Sequence, residues 1–131
     1  MGRRSFAVAT VFIINNDIGF TFWLGQTLNA ASYATLPARG VSDAVELLSE
    51  HKVQPDLLII NPASPGVLDL IADLRRSQVR LKVIASIEGE EQTFNLLGVD
   101  RLLLKPVGAD ETVRVKWLET IEGLLGRDSA R

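Results

Sequence analysis

Three asparagines stand where apolar runs stop. Val11-Phe12-Ile13-Ile14 ends in Asn15-Asn16, and Asp56-Leu57-Leu58-Ile59-Ile60 ends in Asn61. Two more polar side chains follow runs of the same kind: the hydroxyl of Ser86 and the ammonium of Lys105, with Pro106 directly after it. An amide oxygen accepts hydrogen bonds but has no full charge, and the amide nitrogen lone pair is delocalised, so none of the three asparagines is a useful nucleophile. Nor do neutral amides replace carboxylates well around Mg²⁺, a hard ion that gives up its water reluctantly. Mg²⁺ binding is therefore expected to be weak or absent, and no other cofactor is expected. A single asparagine at a strand end caps a helix or closes a turn. Three at matching places form a pattern.

Asp17 is read as the only acid near the pocket these residues would form, and a carboxylate at a helix start is its ordinary reading. Asp69 falls on a helical stretch. His51, the only histidine, ends another helical stretch, where a cation is favoured, so no catalytic dyad or metal set can be built around it. Gly19, Gly25 and Gly40 do not follow a strand in dinucleotide-binding spacing. No enzymatic activity is expected.

The elements that must position these residues show in the hydropathy pattern. Ala9–Asn15, Asp56–Asn61, Leu81–Ser86 and Arg101–Lys105 are continuous Val, Ile and Leu runs, which suit strands covered on both faces. Tyr33–Leu36 is a weaker fifth strand, and Pro37 after it suits a sheet edge. Between the strands, Phe20, Trp23, Leu24, Thr27, Leu28 and Ala31 share one helix face. Ala44, Val45, Leu47 and Leu48 mark a second helix with Ser42 or Asp43 as N-cap. Leu68, Leu70, Ile71 and Leu74 mark a third, and Phe94 and Leu97 a short fourth that ends at Gly98. The last carries Val113, Trp117, Leu118, Ile121, Leu124 and Leu125, with Asp110 and Glu111 at its positive start. Trp23 and Trp117 are read as core. The pattern is β-α five times over, and right-handed crossovers make it an open doubly wound sheet. Ligands of such sheets bind beyond the carboxyl ends of the strands, which gathers Asn15, Asn16, Asn61, Ser86 and Lys105.

With 131 residues, 47% of them hydrophobic, the chain fits one domain, with its core over residues 9–125. A formal net charge of −2 gives no reason to expect nucleic acid or an anionic membrane as partner. Arg75, Arg76, Arg80 and Lys82 form the nearest basic cluster and are read as a solvated helix end and loop. The absence of cysteine fits a reducing cytoplasm. Gln26, Thr27, Asn29 and Pro37 make the weakly charged stretch from 5 to 38 too polar for a membrane span.

From Ala9 to Leu125 the chain resembles the response-regulator receiver family. Ala38-Arg39-Gly40-Val41-Ser42-Asp43-Ala44 is similar to that family's second strand and helix, His51-Lys52-Val53-Gln54-Pro55-Asp56 to its approach to the third strand, and Lys105-Pro106 to the motif after its fifth. The resemblance implies a three-layer, flavodoxin-like (βα)5 fold with a five-stranded parallel sheet in the order 2-1-3-4-5. In the family, two acids after the first strand and an acceptor aspartate after the third hold Mg²⁺ for phosphoryl transfer, and Asn15, Asn16 and Asn61 match those positions. Ser86 and Lys105 match the hydroxyl and lysine that contact the phosphoryl group. A one-residue shift would put Ile87 in the hydroxyl's place. Leu102 matches the family's aromatic switch position, and the Asp-Gly turn expected near Pro65-Gly66 is missing.

These departures imply an atypical receiver in a two-component system that no longer accepts phosphate and works by protein–protein contact. A receiver that uses Asp17 as substitute acceptor is the first alternative, and a small flavodoxin-like enzyme or cofactor binder the second. Lys105 is expected to donate to an amide oxygen such as that of Asn61 or to pair with Asp17. Phe22, Gly25, Gln26 and Asn29 fall on the solvent side of the first helix with no charge among them, which makes that face the candidate contact surface. The partners implied are a histidine kinase, a phosphotransfer protein or another receiver.

Overall fold

The computed structural model describes residues 8–51, 53–88, 98–106 and 111–126, with the backbone alone at His51. Strands β1 (Thr10–Ile14), β2 (Ala34–Ala38), β3 (Leu57–Ile60), β4 (Lys82–Ile87) and β5 (Arg101–Leu104) form one parallel sheet in the order β2-β1-β3-β4-β5. Helices α1 (Ile18–Ala30), α2 (Val41–His51), α3 (Val67–Ser77) and α4 (Glu111–Leu125) cover it. Strand alternation divides the core in two. Val11, Ile13, Leu57, Ile59, Ile84 and Leu103 face α1 and α4, where Leu24, Leu28, Trp117 and Ile121 meet them. Phe12, Ile14, Leu58, Ile60, Val83 and Ala85 face Ala44 of α2 and Val67, Leu70 and Ile71 of α3. Both faces of β1 and β3 are buried, which is why these strands read as unbroken apolar runs.

The sheet edges correct the expected strand limits. β2 continues through Pro37 to Ala38 instead of stopping at Leu36. Ala34 N–H donates to Ala9 and Asn15 N–H to the Ala38 carbonyl, so alternate residues from Ala34 point toward β1 and Pro37 points away from it. The missing proline N–H therefore costs the ladder nothing and blunts the outer edge against strand addition. The other strand limits lie within a residue or two of those expected.

At the end of α1, Ser32 takes a left-handed conformation with φ 73°, and the Tyr33 N–H returns to the Leu28 carbonyl. This closes the helix as glycine usually does and drops the Tyr33 ring into the core, at a cost of about 1 kcal/mol for a residue with a Cβ. α2 starts at Val41, so Ser42 and Asp43 lie in its first turn and neither is the N-cap. Asp43 reaches back instead to the Arg39 N–H at 3.1 Å. Arg75 departs from the solvated cluster expected of it: its guanidinium donates to the carbonyls of Leu81 and Gly98 and pairs with Asp100. The expected helix around Phe94 and Leu97, Asp110 and the His51 side chain lie outside what the structure describes.

Candidate functional site

The carboxyl ends of β1, β3, β4 and β5 bring the residues of the expected crevice together. Asn15 sits just past β1 with 4% of its surface exposed, held through its N–H on the Ala38 carbonyl. Its Oδ1 accepts the Asp17 N–H at 2.8 Å, a local turn that delivers Asp17 to the start of α1. Its Nδ2 donates to Ser86 Oγ at 3.3 Å, and that hydroxyl donates in turn to the Ile60 carbonyl at 3.1 Å. The chain from β1 through β4 to β3 uses the one proton and one of the lone pairs of the serine. Asn16 is exposed. Asn61 is tied by its N–H to the Ile14 carbonyl and turns its own Oδ1 back to the Ala63 N–H at 3.0 Å.

Lys105 follows β5, anchored by its N–H on the Ile87 carbonyl. Its side chain is only 10% exposed, with Nζ 2.7 Å from Asp17 Oδ2, 2.8 Å from Glu88 Oε2 and 5.3 Å from the centroid of the Phe20 ring. Asp17 meanwhile caps α1, its Oδ1 accepting the Phe20 N–H at 3.1 Å. The hydrogen bond from Lys105, and after it that from Phe20, hold the Asp17 carboxyl below the usual carboxylate range. Burial pulls the Lys105 ammonium down most strongly of any single influence, but its bonds to Asp17 and Glu88 together raise it above the ordinary lysine value.

The structure thus brings Asn15 to Ser86 and Asp17, and Lys105 to Asp17. Ser86, and not Ile87, is the β4 residue bonded to Asn15; Ile87 is the half-buried end of that strand. Lys105 takes the acid option, not the Asn61 amide, and its second acid, Glu88, was not anticipated. The signal was an acid two residues after Ser86, legible only once the β4–β5 register sets it beside Lys105. Leu102 lies exposed on the edge strand β5.

This donor set does not suit Mg²⁺. Among the described residues, both carboxylates in the crevice are bonded to Lys105 and the Oδ1 atoms of Asn15 and Asn61 are committed to backbone N–H groups, so no carboxylate there stands unengaged to repay dehydration of the ion.

Beside the crevice, a cleft of about 490 Å³ runs between α1 and the outer edge of β2. Phe22, Gly25, Gln26 and Asn29 line it from the helix, Thr35 and Pro37 from the strand. Phe22 is 65% exposed.

The sequence matches no protein-family model and no curated protein. Solved structures do match. The signal receiver domain of an HD domain-containing protein from Pseudomonas fluorescens superposes with a TM-score of 0.74 at 17% identity, over 96% of this chain and 92% of that one. A response regulator receiver domain protein from Clostridium thermocellum gives 0.72 at 17% identity over 92% and 96%. The receiver domain of a sensor histidine kinase from Pseudomonas aeruginosa, with a magnesium ion coordinated in its active-site cleft, gives 0.71 at 16% identity over 92% and 99%. Five parallel strands in the order β2-β1-β3-β4-β5, with helices on both faces, give this chain the flavodoxin-like fold of response-regulator receiver domains.

Proposed function

We propose that this chain is a receiver-type signalling module of a two-component system that does not accept phosphate and acts through protein–protein contact. The observation that carries the reading is the way the crevice satisfies itself. Amides stand at Asn15, Asn16 and Asn61, and Lys105 is paired with Asp17 and Glu88 of the same chain. Phosphoryl transfer needs a carboxylate available to attack, and the described carboxylates of the crevice are both bonded to Lys105. Asp17 fits the alternative role of acceptor poorly, because one of its oxygens caps α1 and the other holds Lys105. An enzyme or cofactor binder would need a nucleophile–base pair or a phosphate loop, and the described residues of the crevice form neither. Among the described residues no helix is long and apolar enough to cross a membrane. The place of work in this reading is the cytoplasm, beside a histidine kinase, a phosphotransfer protein or another receiver.

Incubation with Mg²⁺ and acetyl phosphate tests the reading. The intact mass is expected to stay constant, and beryllofluoride with Mg²⁺ is expected to leave tryptophan fluorescence unchanged. A gain of one phosphoryl group that disappears in Asp17→Asn would establish the substitute acceptor and overturn the proposal.

A further inference from the structure

Helix α1 has a second face outside the core, met by β2 where the Thr35 hydroxyl donates to Asn29 Oδ1 at 3.4 Å. Its thirteen residues hold no charged side chain, and Ile18 and Phe22 stand 72% and 65% exposed on the wall of the α1–β2 cleft. With Gly25 and Asn29 they recur at intervals of four, three and four, the spacing of a helix–helix seam. Gly25 is the informative member. Glycine inside a helix costs up to about 1 kcal/mol relative to alanine, and a Cβ here would meet nothing nearer than Thr35 Oγ1 at 3.9 Å, an ordinary contact. Packing within the chain therefore gives no reason for the missing side chain. What its absence makes is a notch on the outer face, three residues from the largest exposed apolar side chain of the helix.

We infer that this face is a self-association surface, on which α1 of a second copy lies antiparallel across a two-fold axis passing between Trp23 and Leu24. In that arrangement Phe22 of each copy enters the notch at Gly25 of the other, and Ile18 of each covers Asn29 of the other. The pairs fall at equal distances from the axis, so large side chains meet small or short ones on both sides. A two-fold interface requires this self-complementarity, because the same patch must serve as knob and hole. The lack of charge on the helix is compatible with the same occupant, the charged residues of the cleft, Arg39 and Asp43, lying beyond β2. A two-fold axis brings side chains near it close to their own copies, which penalises like charges, and a helix with no charged side chain escapes that penalty. The blunted edge at Pro37 turns away an added strand and leaves the cleft to a helix. The inference concerns association and does not depend on whether the crevice accepts phosphate.

Sedimentation equilibrium of the natural chain up to ~0.5 mM is expected to show a reversible dimer, and Phe22→Glu to weaken it by at least about tenfold while thermal melting of the dilute monomer stays unchanged. Gly25→Leu, which fills the notch and improves helix propensity, is expected to weaken the dimer as well. The chain has no cysteine, so engineered thiols report the pairing directly. A mixture of Ile18→Cys and Asn29→Cys proteins is expected to form the mixed disulfide under mild oxidation, faster than either protein alone. A natural chain that stays monomeric throughout overturns the inference. So does a dimer indifferent to Phe22→Glu, a large loss of melting temperature in that variant, or faster cross-linking of Ile18→Cys with itself.

Discussion

Lys105 keeps its charge at a place where little of its side chain meets water because two carboxylates and an aromatic face surround it. Asp17 has two tasks there, capping α1 and pairing with Lys105, and they can be separated. Asparagine caps a helix about as well as aspartate, so Asp17→Asn keeps the cap and removes only the ion pair. The carboxyl is 43% exposed, which screens the pair, and the expected loss at neutral pH is no more than about 1 kcal/mol. The pH dependence carries more information. The Asp17 carboxyl is depressed in the folded chain below its ordinary 3.8, so its stabilisation is present above that value and is lost as pH falls through the folded one. The Lys105 ammonium is raised above 10.5, so its share is present below that value and is lost as pH rises through the folded one. Melting temperatures of the natural chain and Asp17→Asn should therefore differ by a constant few degrees across neutral pH, and the gap should close below pH 3.8. A gap that persists in acid would mean that the substituted amide fails as a cap and that the ion pair contributes nothing measurable.

At the level of elements, the end of α3 is locked to the sheet by one side chain. Arg75 donates through Nε and Nη2 to the Leu81 carbonyl, reaches the Gly98 carbonyl, and pairs at 2.9 Å with Asp100, whose same oxygen accepts the Val83 N–H. One guanidinium thus ties α3 to the entries of β4 and β5. Gly98 belongs to the same device, with φ +90° and any Cβ only 3.0 Å from Arg75 Nη1 and 3.3 Å from Ile71 Cγ2. Arg75→Lys keeps the charge but cannot offer the planar fork, so the carbonyls of Leu81 and Gly98 cannot both be served. The expected loss is roughly 1–3 kcal/mol, read as a clear fall in chemical-denaturation midpoint with unchanged slope. A midpoint equal to that of the natural chain would show that the clamp contributes no stability. This lock was hidden in the sequence, where Arg75 stood in a basic cluster and read as solvated. Its acceptors come from two separate segments, Leu81 before β4 and Gly98 to Asp100 before β5, and only the pairing of β4 with β5 assembles them. The left-handed conformation of Gly98 was legible, because a positive φ is a local demand that glycine meets, while the helix expected before it lies outside the described residues. Pro37 was legible as an edge residue but not as part of β2, since the parity that turns its nitrogen outward is set by pairing with β1.

Over the whole molecule, what the sequence made plain was what burial dictates. Strands covered on both faces must be apolar throughout, so β1, β3 and β4 stood out, and their order placed Asn15, Asn61, Ser86 and Lys105 at one end of the sheet. Glu88 stayed hidden because a loop carboxylate carries no periodicity. The same architecture states what restoring acids would cost. Asn15→Asp, Asn16→Asp and Asn61→Asp together would add three carboxylates to a crevice whose lysine already has two. Asn15 is the demanding position, being 4% exposed, while Asn16 is open to water and Asn61 half-buried. Like charges 4 Å apart repel by up to ~4 kcal/mol at an effective dielectric of about 20, and burial adds to this at position 15. The triple variant should be less stable than the natural chain at neutral pH. Crowding and burial raise the folded-state pKa values of the new acids, so stability should recover as pH falls through them. Mg²⁺ bound by the new acids would raise the variant's melting temperature by mass action, whereas the natural chain, whose described crevice residues offer amides and engaged carboxylates, should not respond. The measurement is the melting temperature of both proteins with and without Mg²⁺. An equal rise in the two would mean that the natural crevice already holds the ion, and that its three asparagines do not stand in place of acids.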